Sequence, residues 1–312
     1  MIFEHRSVMP DEVHKHLNLK PGDTCVDCTL GGSGHASAMV GTILPKGRLI
    51  GIDQDIDAVE NAKKVLKPFS ANVSIFHDNF SNLPFILKSL EINGVDGILL
   101  DLGLSLHQLR KGKRGFSFQK DEPLDMRMDT RSGRTAADFV NGLDGKELAD
   151  LFFKYGEERM SRRIARAVVK AREASFINSS KEFAEIIKKA VPAKIAGKQK
   201  IHPATRVFQA LRIAVNRELE QLENFMEKLP SFLNKGGRVC VISFHSLEDR
   251  IVKHGIRGFE NGCSCPSDFP QCVCGFEQQL RSISRKPFMA GKDEININPM
   301  ARSARLRVAE RV

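Results

Sequence analysis

The chain has 312 residues, of which 41% are hydrophobic and 28% are charged, and its formal net charge is +10. This length supports one large core or two domains, and the composition is ordinary for a soluble globular protein. No window approaches the roughly 20 apolar residues of a membrane span, and no apolar signal-peptide core opens the chain. We therefore expect a cytoplasmic protein without a membrane partner. The positive surplus favours nucleic acid as a partner, although a merely basic surface explains it equally well.

A strand, a glycine-rich loop and a helix are predicted in that order near the start of the chain. Residues 24–28 alternate like a short strand, 29–35 form the loop, and 36–44 suit a helix. Glycines in such a loop allow positive φ and a close approach of backbone N–H groups to a ligand. The run 32–37 nearly matches the dinucleotide fingerprint, with Ser37 in the place of the third glycine. An ordinary tight turn explains the run as well.

Polar side chains follow the next two predicted strands. The strand at 48–52 ends in Asp53, where an acid can accept hydrogen bonds from ribose hydroxyls. Asp53 could instead cap the next helix, but Asp55 suits that role and leaves Asp53 available. The strand at 72–77 is soon followed by Phe80, which could cover a planar ring or belong to the core.

A fourth strand, at 94–100, is a near-continuous apolar run and ends in Asp101. Such runs are typical of strands buried on both faces of a parallel sheet. Ligands of open parallel sheets bind outside the carboxyl ends of the strands. The four strand ends therefore predict an α/β sheet with a ligand site beside Asp101.

The pattern changes after residue 108. Residues 109–129 show no clear period, and their aromatic and methionine content favours an ordered loop over a disordered one. Asp125 and Arg127 in this loop are candidate substrate contacts, or plain surface charges. Helices are predicted over 136–189. One of them carries a basic stripe, which is either a phosphate-contacting surface or a solvated face. The stripe consists of Arg159, Arg162, Arg163, Arg166 and Lys170.

The last third returns to the strand pattern. One long helix is predicted over 205–229, and a buried strand is predicted over 238–243. His245 lies just past the end of that strand, so we expect it to face the same cleft as Asp101 or to be structural. The basic C-terminal part includes an alternating run at 305–308, which predicts an edge strand whose charges also attract phosphate.

Four cysteines lie close together late in the chain. Cys263, Cys265, Cys272 and Cys274 could furnish a tetrahedral sulfur site for a structural zinc, although their C-x-C spacing departs from the usual C-x₂-C. A disulfide is disfavoured in a cytoplasmic chain. The other cysteines, Cys25, Cys28 and Cys240, are most simply core residues.

Taken together, these motifs resemble the RsmH family, also called MraW, from end to end. The motifs are His5-x-Ser7-Val8-Met9, Asp27-x-Thr29, Gly34-His35, Asp53-x-Asp55, Leu100-Asp101-Leu102-Gly103, Arg114-Gly115-Phe116-Ser117, Pro123-Leu124-Asp125-Met126-Arg127-Met128, Tyr155-Gly156-Glu157-Glu158, His202-Pro203-Ala204-Thr205-Arg206, Phe208-Gln209-Ala210-Leu211-Arg212-Ile213, Ser243-Phe244-His245-Ser246-Leu247-Glu248-Asp249-Arg250, Asn298-Pro299 and Arg302-Ser303. Members of the family transfer a methyl group from S-adenosylmethionine to N4 of a cytidine in the decoding region of bacterial 16S ribosomal RNA.

The resemblance implies an α/β fold of a defined kind. It consists of a Rossmann-like class I methyltransferase sheet, residues 1–108 and 207–312, interrupted by a mostly helical substrate-recognition domain, residues 109–206. The implied partner is 16S rRNA within the small ribosomal subunit. The sequence leaves the oligomeric state open, with a homodimer among the alternatives.

The resemblance also implies site residues. The implied cofactor contacts are Ser33, Gly34, His35, Asp53, Phe80, Asp101 and Gln108. The family usually has glycine at the position of Ser33, and serine tolerates positive φ less well.

For catalysis, Asp101 is the first candidate for polarising the cytosine amine, a role that competes with simple cofactor binding. His245 and Asp125 are candidates for holding the base. Two rival functions share some of these features. A nicotinamide-dependent dehydrogenase shares the glycine loop and Asp53, and a non-enzymatic ribosome-assembly factor shares the basic surface.

Overall fold

The chain forms two structural units in the computed structural model, which describes residues 7–110, 112–197, 201–262, 265 and 274–312. The sheet unit comprises residues 1–103 and 219–312, and the helical unit comprises residues 104–218. The domain boundaries predicted from the sequence, after residues 108 and 206, each fall inside a helix of the helical unit, Leu106–Arg110 and Ala204–Asn216. The two units divide after Gly103 and Glu218 instead, and the domain bounds given by the sequence stay a prediction.

Within the described residues, eight strands form a single sheet. They are β1 (Thr24–Asp27), β2 (Arg48–Asp53), β3 (Val73–His77), β4 (Val95–Asp101), β5 (Leu233–Ser243), β6 (Leu280–Ser282), β7 (Phe288–Met289) and β8 (Arg305–Arg311). The order is β3-β2-β1-β4-β5-β8-β6, with β7 also paired to β8. Strands β1 to β5 are parallel, whereas β8 is antiparallel to β5. The predicted α/β fold with a Rossmann-like strand order is therefore confirmed.

Helices cover both faces of this sheet. Those of the sheet unit are α1 (Pro10–Leu17), α2 (Gly34–Ile43), α3 (Ile56–Val65), α4 (Leu83–Ser89), α12 (Glu218–Lys228, whose first residue belongs to the helical unit), α13 (Ser246–Glu260) and α14 (Lys292–Ile297), with short 3₁₀ helices at Lys67–Asn72, Phe80–Asn82, Leu229–Phe232 and Pro299–Ser303. Side chains of α4, α12 and α13 join one core, and those of α1, α2 and α3 join the other.

Successive residues of the central strands enter opposite cores. On β4, Ile98 and Leu100 pack with α4 and α13, whereas Leu99 packs with α1 and α2. Cys25 on β1 and Cys28 just after that strand likewise lie in different cores, which confirms that both are core residues. Because both faces are covered, these strands must be apolar at every position, and this explains the continuous runs in the sequence.

The helical unit has its own core. Its helices are α5 (Leu106–Arg110), α6 (Ala136–Gly142), α7 (Gly145–Gly156), α8 (Ser161–Arg172), α9 (Ser180–Ala190), α10 (Ala193–Ala196) and α11 (Ala204–Asn216). The core is built around Phe152 and Phe183, both fully buried, with Phe208 tilted against Phe183 at 5.6 Å between ring centroids.

One asparagine holds the loop between α5 and α6 in place. The side-chain oxygen of Asn216 accepts from Met128 N–H at 2.7 Å, and its amide donates to the Met126 carbonyl at 2.8 Å. Asn216 is buried, and Met126 has a positive φ of 59°. The described part of this loop is therefore ordered by buried hydrogen bonds, as its composition predicts.

Two sequence predictions about the last third are wrong. The helix predicted over 205–229 is broken at Arg217, whose φ of 50° is left-handed, so α11 and α12 are separate helices. The run 305–308 does not form an edge strand, because β8 lies between β5 and β6. The sequence pattern could not predict that β6 pairs with the outer side of β8, because β6 has only three residues.

Acidic side chains pair with much of the basic C-terminal part. Asp249 on α13 accepts from Arg307 at 2.6 Å and from Arg305 at 3.0 Å. Glu310 pairs in the same way with Arg238 and Arg281. These arginines therefore fasten β8 to its surroundings, and the two acids offset half of their positive charge.

None of the helices in the described ranges combines the length and the apolar character that crossing a bilayer requires.

Replacing Asp249 by Asn tests the pairing with β8. Burial alone would raise the pKa of Asp249, but hydrogen bonds and charge from Arg307 and Arg305 outweigh it and lower the pKa below its ordinary value. At pH 7 we expect Asp249→Asn to lose about 2 kcal/mol of unfolding free energy, less than a fully buried pair because Arg305 is 45% exposed. Chemical denaturation of both proteins measures this difference.

The pH dependence has a defined sign. A lowered folded-state pKa gives stability that is complete above the unfolded value and disappears as the pH falls through the folded one. The difference between wild type and Asp249→Asn should therefore shrink below about pH 4. Glu60→Gln, which removes an exposed ion pair with Lys63, serves as the control and should change little. Equal stability of wild type and Asp249→Asn at pH 7 would contradict this account.

Candidate active site

The loop after β1 continues the hydrogen bonding of that strand toward both neighbouring strands. Cys28 N–H donates to the Leu99 carbonyl at 2.9 Å, and Leu30 N–H donates to the Ile52 carbonyl at 3.2 Å. The loop is thereby held between the carboxyl ends of β2 and β4. Strand-end acids from three parallel strands consequently meet along one edge of the sheet unit.

Backbone N–H groups fix the carboxylate of Asp53 at the end of β2. Gly31 N–H donates to Oδ2 at 2.9 Å, and Asp55 N–H donates to Oδ1 at 2.8 Å. Asp55 itself caps α3, since its side chain accepts from Asp57 N–H at 3.1 Å. The predicted division of roles is thus confirmed: Asp55 is the cap, and Asp53 faces the glycine loop.

Ser33 occupies a conformation that normally belongs to glycine. It has φ 65° and ψ 17° in the left-handed region, and it precedes the first turn of α2. The residue is fully buried, and its Oγ has no hydrogen-bond partner among the described residues. Left-handed backbone costs a non-glycine residue roughly 1–2 kcal/mol, and a buried hydroxyl without a partner adds to that cost. Both features indicate a position shaped for a ligand rather than for stability.

Gly34 begins α2 directly after Ser33. A side chain at this position would collide with the hydroxyl of Ser7. The absence of a side chain at Gly34 therefore lets Ser7 pack against this backbone, and a close approach of the loop to a ligand stays a prediction.

Thr29 connects the acids at the ends of β1 and β4. Asp101 N–H donates to Thr29 Oγ1 at 2.6 Å, and Thr29 N–H donates to Asp27 Oδ1 at 3.0 Å. The Thr29 hydroxyl also hydrogen-bonds to the Asp27 carboxyl. One side chain therefore positions both the backbone of Asp101 and the carboxyl group of Asp27.

Asp27 and Asp101 are buried acids with raised pKa values. Burial, together with the charge of Asp53, raises the pKa of Asp27 to about 7, although hydrogen bonds from Thr29 and Ala36 oppose the shift. Burial, with the charges of Asp27 and Glu248, raises the pKa of Asp101 well above its ordinary value. Neither Oδ2 of Asp27 nor Oδ1 of Asp101 has a hydrogen-bond partner among the described residues.

His35 is the basic side chain nearest to these acids in the described part of the sheet unit. Its Nε2 lies 3.8 Å from Asp101 Oδ2, which is too long for a hydrogen bond, and the histidine is buried. The edge therefore holds three strand-end acids, and two of them, Asp27 and Asp101, are buried with raised pKa values that a bound cation would lower. Ionised carboxylates in a buried site of low dielectric constant stabilise a cation far more than carboxylates exposed to water do.

This donor set fits S-adenosylmethionine. Carboxylate oxygens suit ribose hydroxyls and an ammonium group. Acids that ionise when a cation binds suit a sulfonium. The buried Ser33 hydroxyl has no partner among the described residues, and a ligand atom could provide one. Asp53, Ser33 and Asp101 all belong to the same edge of the sheet unit. These three of the residues that the sequence assigned to the cofactor thus share one edge, and their contact with a cofactor stays a prediction.

Phe80 is a member of the core. It is 8% exposed, packs edge to face on Phe225 at 5.7 Å between ring centroids, and belongs to the cluster with α4 and α12. Its contact with an adenine ring stays a prediction.

His245 has a structural role at the start of α13. Its Nδ1 accepts from Glu248 N–H at 3.3 Å, and the Glu248 carboxylate returns the bond to the backbone of His245. Its Nε2 also lies 3.2 Å from Glu248 Oε1. The ring therefore caps the helix, and its contact with a base stays a prediction.

Gln108 and Asp125 belong to the helical unit. Gln108 is buried and caps α5 together with Ser105, each residue accepting a backbone N–H from the other. Asp125 makes a two-pronged ion pair with Arg127 at 2.8 and 2.9 Å. Although partial burial opposes it, this pairing holds the pKa of Asp125 below its ordinary value. The two candidate substrate contacts thus bind each other, and their role toward a substrate stays a prediction.

Half of the predicted cysteine cluster lies outside the described residues, namely Cys263 and Cys272. Cys265 is partly buried and Cys274 is exposed. Zinc at this cluster stays a prediction.

Asp27, Thr29 and Glu248 form part of the acidic edge but had no role in the sequence prediction. The signal for Asp27 was present, because it ends β1 just as Asp53 ends β2 and Asp101 ends β4. The part that Thr29 plays could not be predicted, because its bond to Asp101 joins residues far apart in the chain.

Comparisons with known proteins give consistent matches over the full length. The family model described as "MraW methylase family" matches residues 2–312. A protein of Desulforapulum autotrophicum named "Ribosomal RNA small subunit methyltransferase H" is 68% identical over 312 residues, covering 100% of both chains. A protein of Geobacter sulfurreducens with the same name is 50% identical, again over 100% of both chains.

The chain also aligns with solved structures at low identity. An S-adenosylmethionine-dependent O-methyltransferase of Thermotoga maritima is 10% identical with a TM-score of 0.42, covering 98% of this chain and 68% of that one. Aeropyrum pernix fibrillarin with natively bound S-adenosyl-L-methionine is 12% identical with a TM-score of 0.38, covering 93% and 67%. At these scores nothing about the site follows from the likeness.

Substitutions of Ser33 test its backbone conformation. Ser33→Gly and Ser33→Ala both remove the buried hydroxyl, but only glycine also relieves the left-handed strain. We expect Ser33→Gly to exceed Ser33→Ala in unfolding free energy by about 1 kcal/mol when no cofactor is present. Denaturant unfolding of the two variants measures this difference. If the alanine variant is at least as stable as the glycine variant, the strain assigned to Ser33 is wrong.

Proposed function

We propose, from the premise that this chain belongs to the MraW methylase family, that it methylates RNA of the small ribosomal subunit with S-adenosylmethionine as the donor. The relatives that match over their full length are named as methyltransferases of small-subunit ribosomal RNA. More narrowly, we propose N4 of a cytidine in the decoding region of 16S rRNA as the acceptor. The motifs that resemble the RsmH family along the whole chain support this narrower assignment.

One observation carries the proposal: the acidic edge where Asp27, Asp53 and Asp101 meet beside the buried Ser33. A sulfonium is a cation, and burial among carboxylates favours a cationic ligand. A nicotinamide dinucleotide would bring an anionic pyrophosphate to the same glycine loop, and an anion beside Asp27 and Asp101 disfavours their ionisation, whereas a cation favours it. The edge thus supports a methyl donor over a dehydrogenase cofactor. A protein that only assists ribosome assembly needs no such edge.

We assign the cofactor contacts to residues at this edge. Asp53, held by two backbone N–H groups, accepts hydrogen bonds from ribose hydroxyls. Ser33, Gly34 and His35 contact the methionine end, and Phe80 contacts the adenine; Gln108 of the helical unit is the remaining assigned contact. S-adenosylmethionine, when bound, supplies a methyl group on a sulfonium that is already activated.

Asp101 is the residue that we assign to the acceptor amine. The lone pair of an exocyclic cytosine amine is delocalised into the ring, so positive charge that builds on N4 must be relieved by accepting one of its hydrogens. A carboxylate whose pKa is raised is a stronger base than an ordinary one. The environment of Asp101 therefore suits it to this task.

Two further residues are assigned to the cytosine base that carries the acceptor amine. His245 and Asp125 hold the base, and RNA bases are read when they are splayed out of the stack. We further propose a cytoplasmic enzyme that acts on the small subunit.

Methyl transfer with mapping of the modified base tests this proposal. Labelled S-adenosylmethionine should label small-subunit particles or naked 16S rRNA at N4 of a decoding-region cytidine. Asp101→Asn should lower the transfer rate at least 100-fold, because it removes the acceptor for the amine hydrogen. Asp96→Asn is the matched control at the other end of β4, where Asp96 accepts from Thr24 N–H, and should keep the wild-type rate.

Three results would count against the proposal. Hydride transfer with a nicotinamide cofactor would replace it with the dehydrogenase function. Transfer to neither particles nor naked RNA would remove the methyltransferase function. Full turnover by Asp101→Asn with unchanged cofactor affinity would leave the function standing but remove the role of Asp101.

A further inference from the structure

One face of α8 in the helical unit carries a row of exposed cations. Arg162, Arg166 and Lys170 follow each other at intervals of one helical turn, so they lie one above the other, with ~6 Å of rise between neighbours. All three are exposed, whereas Ile164 and Val168 on the opposite face are fully buried in the core. We call these three residues the α8 row.

Other arginines of the same helix serve the fold. Arg163 donates to the carbonyl of Ala190, the last residue of α9, at 2.6 Å. Arg172 donates to the carbonyls of Val140 and Leu143 at the end of α6, at 2.8 and 2.6 Å. These two side chains satisfy helix C-terminal carbonyls, which is a common structural use of arginine.

The α8 row has no comparable structural use. Within the described ranges, no carboxylate pairs with any of its three members, and Arg166 donates only to the carbonyl of Arg162, at 3.4 Å. The sequence predicted a basic stripe on this helix, which was either a phosphate-contacting surface or a solvated face. The structure divides that stripe into cations that hold the fold together and cations that do not.

The α8 row is also unfavourable for its own helix. Like charges at i and i+4 repel each other, and the row repeats that spacing twice. The first turn of α8 has no acidic residue and its N-cap, Met160, offers no side-chain hydrogen bond. Arg162 therefore lies at the positive end of the helix dipole, where a cation is destabilising. A polyanion bound along the row would relieve both effects.

The helical unit also exposes aromatic side chains. Phe176 is 60% exposed and follows α8 where Ile177 N–H donates to Asn141 of α6, at the same end of the helix as Lys170. Phe153 on α7 is 63% exposed. Surfaces that bind single-stranded nucleic acid combine cations with exposed aromatic rings, and the helical unit exposes both.

We propose that the α8 row binds the phosphate backbone of the RNA substrate. This inference rests on the proposed function, which identifies RNA as the substrate. It adds the surface of the protein that binds the RNA strand. The row makes backbone contacts without base recognition, so it contributes affinity that depends on salt and not on sequence.

Salt-dependent RNA binding by matched charge variants tests the row. The row variant combines Arg162→Gln, Arg166→Gln and Lys170→Gln, and the control variant combines Lys181→Gln, Lys188→Gln and Lys189→Gln on α9 of the same unit. Both lose three positive charges from one exposed helix face or end of the same unit, and the control additionally loses the exposed ion pair between Lys188 and Glu185. The probe is a single-stranded oligonucleotide from the 16S decoding region, and the readout is the slope of log K against log salt concentration.

The row variant should show a slope smaller by about 2 than that of wild type, since each phosphate contact to single strands contributes ~0.7. Between 50 and 200 mM salt, wild-type affinity should then fall ~20-fold further than that of the row variant. The control variant should keep the wild-type slope. Thermal unfolding provides a second readout: the row variant should be at least as stable as wild type, because it removes repulsion, whereas a structural row would lower the melting temperature.

The outcomes separate this inference from the proposed function. If wild type methylates RNA and the row variant keeps the wild-type slope, the row is not an RNA surface and the function stands. If wild type binds RNA through the row but transfers no methyl group, the surface stands and the function falls. If wild type neither binds nor methylates RNA, both fall.

Discussion

The structure depends on the way the loop after β1 is held between the ends of β2 and β4. The conformation of this loop is fixed by backbone hydrogen bonds to Leu99 and Ile52. It is also fixed by the contacts of Thr29 with Asp27 and Asp101. The parallel sheet brings the ends of three strands to one edge, and the loop fixes the acids there. These contacts are made by backbone groups and one hydroxyl, and no arginine or lysine among the described residues pairs with Asp27 or Asp101.

An acidic edge of this kind reduces the stability of the protein without ligand. Burying carboxyl groups beside one another raises their pKa values, and a left-handed serine with an unsatisfied hydroxyl adds strain. The C-terminal part shows the opposite arrangement, in which Asp249 and Glu310 are matched by arginines and their pKa values are lowered. The same chain therefore pairs its charges where they hold β8 and leaves them unpaired where a cationic donor is proposed to bind. Helix α8 shows the same distinction for positive charges: Arg163 and Arg172 bind carbonyl groups of the fold, whereas the α8 row is proposed to bind RNA.

Much of this could be predicted from the sequence, because apolar runs and strand-end acids are local patterns. The parallel strands, the cap at Asp55 and the acids at Asp53 and Asp101 all follow from such patterns. What could not be predicted depends on contacts between distant residues. The interior position of β8 depends on a partner of three residues, and the break at Arg217 depends on a single left-handed residue that the helical pattern does not mark. The packing of Phe80 on Phe225 and the capping by His245 were among the alternatives, and only tertiary structure distinguishes them.

The central claim is that a sulfonium binds next to Asp27 and Asp101. A cation placed there lowers the pKa of both acids, so binding near pH 7 must release protons. Calorimetric titration in buffers of different ionisation enthalpy counts those protons, and S-adenosylhomocysteine, which lacks the sulfonium charge, is the matched ligand. The account predicts that S-adenosylmethionine releases more protons than S-adenosylhomocysteine. Equal proton release by the two ligands, both bound, would contradict it.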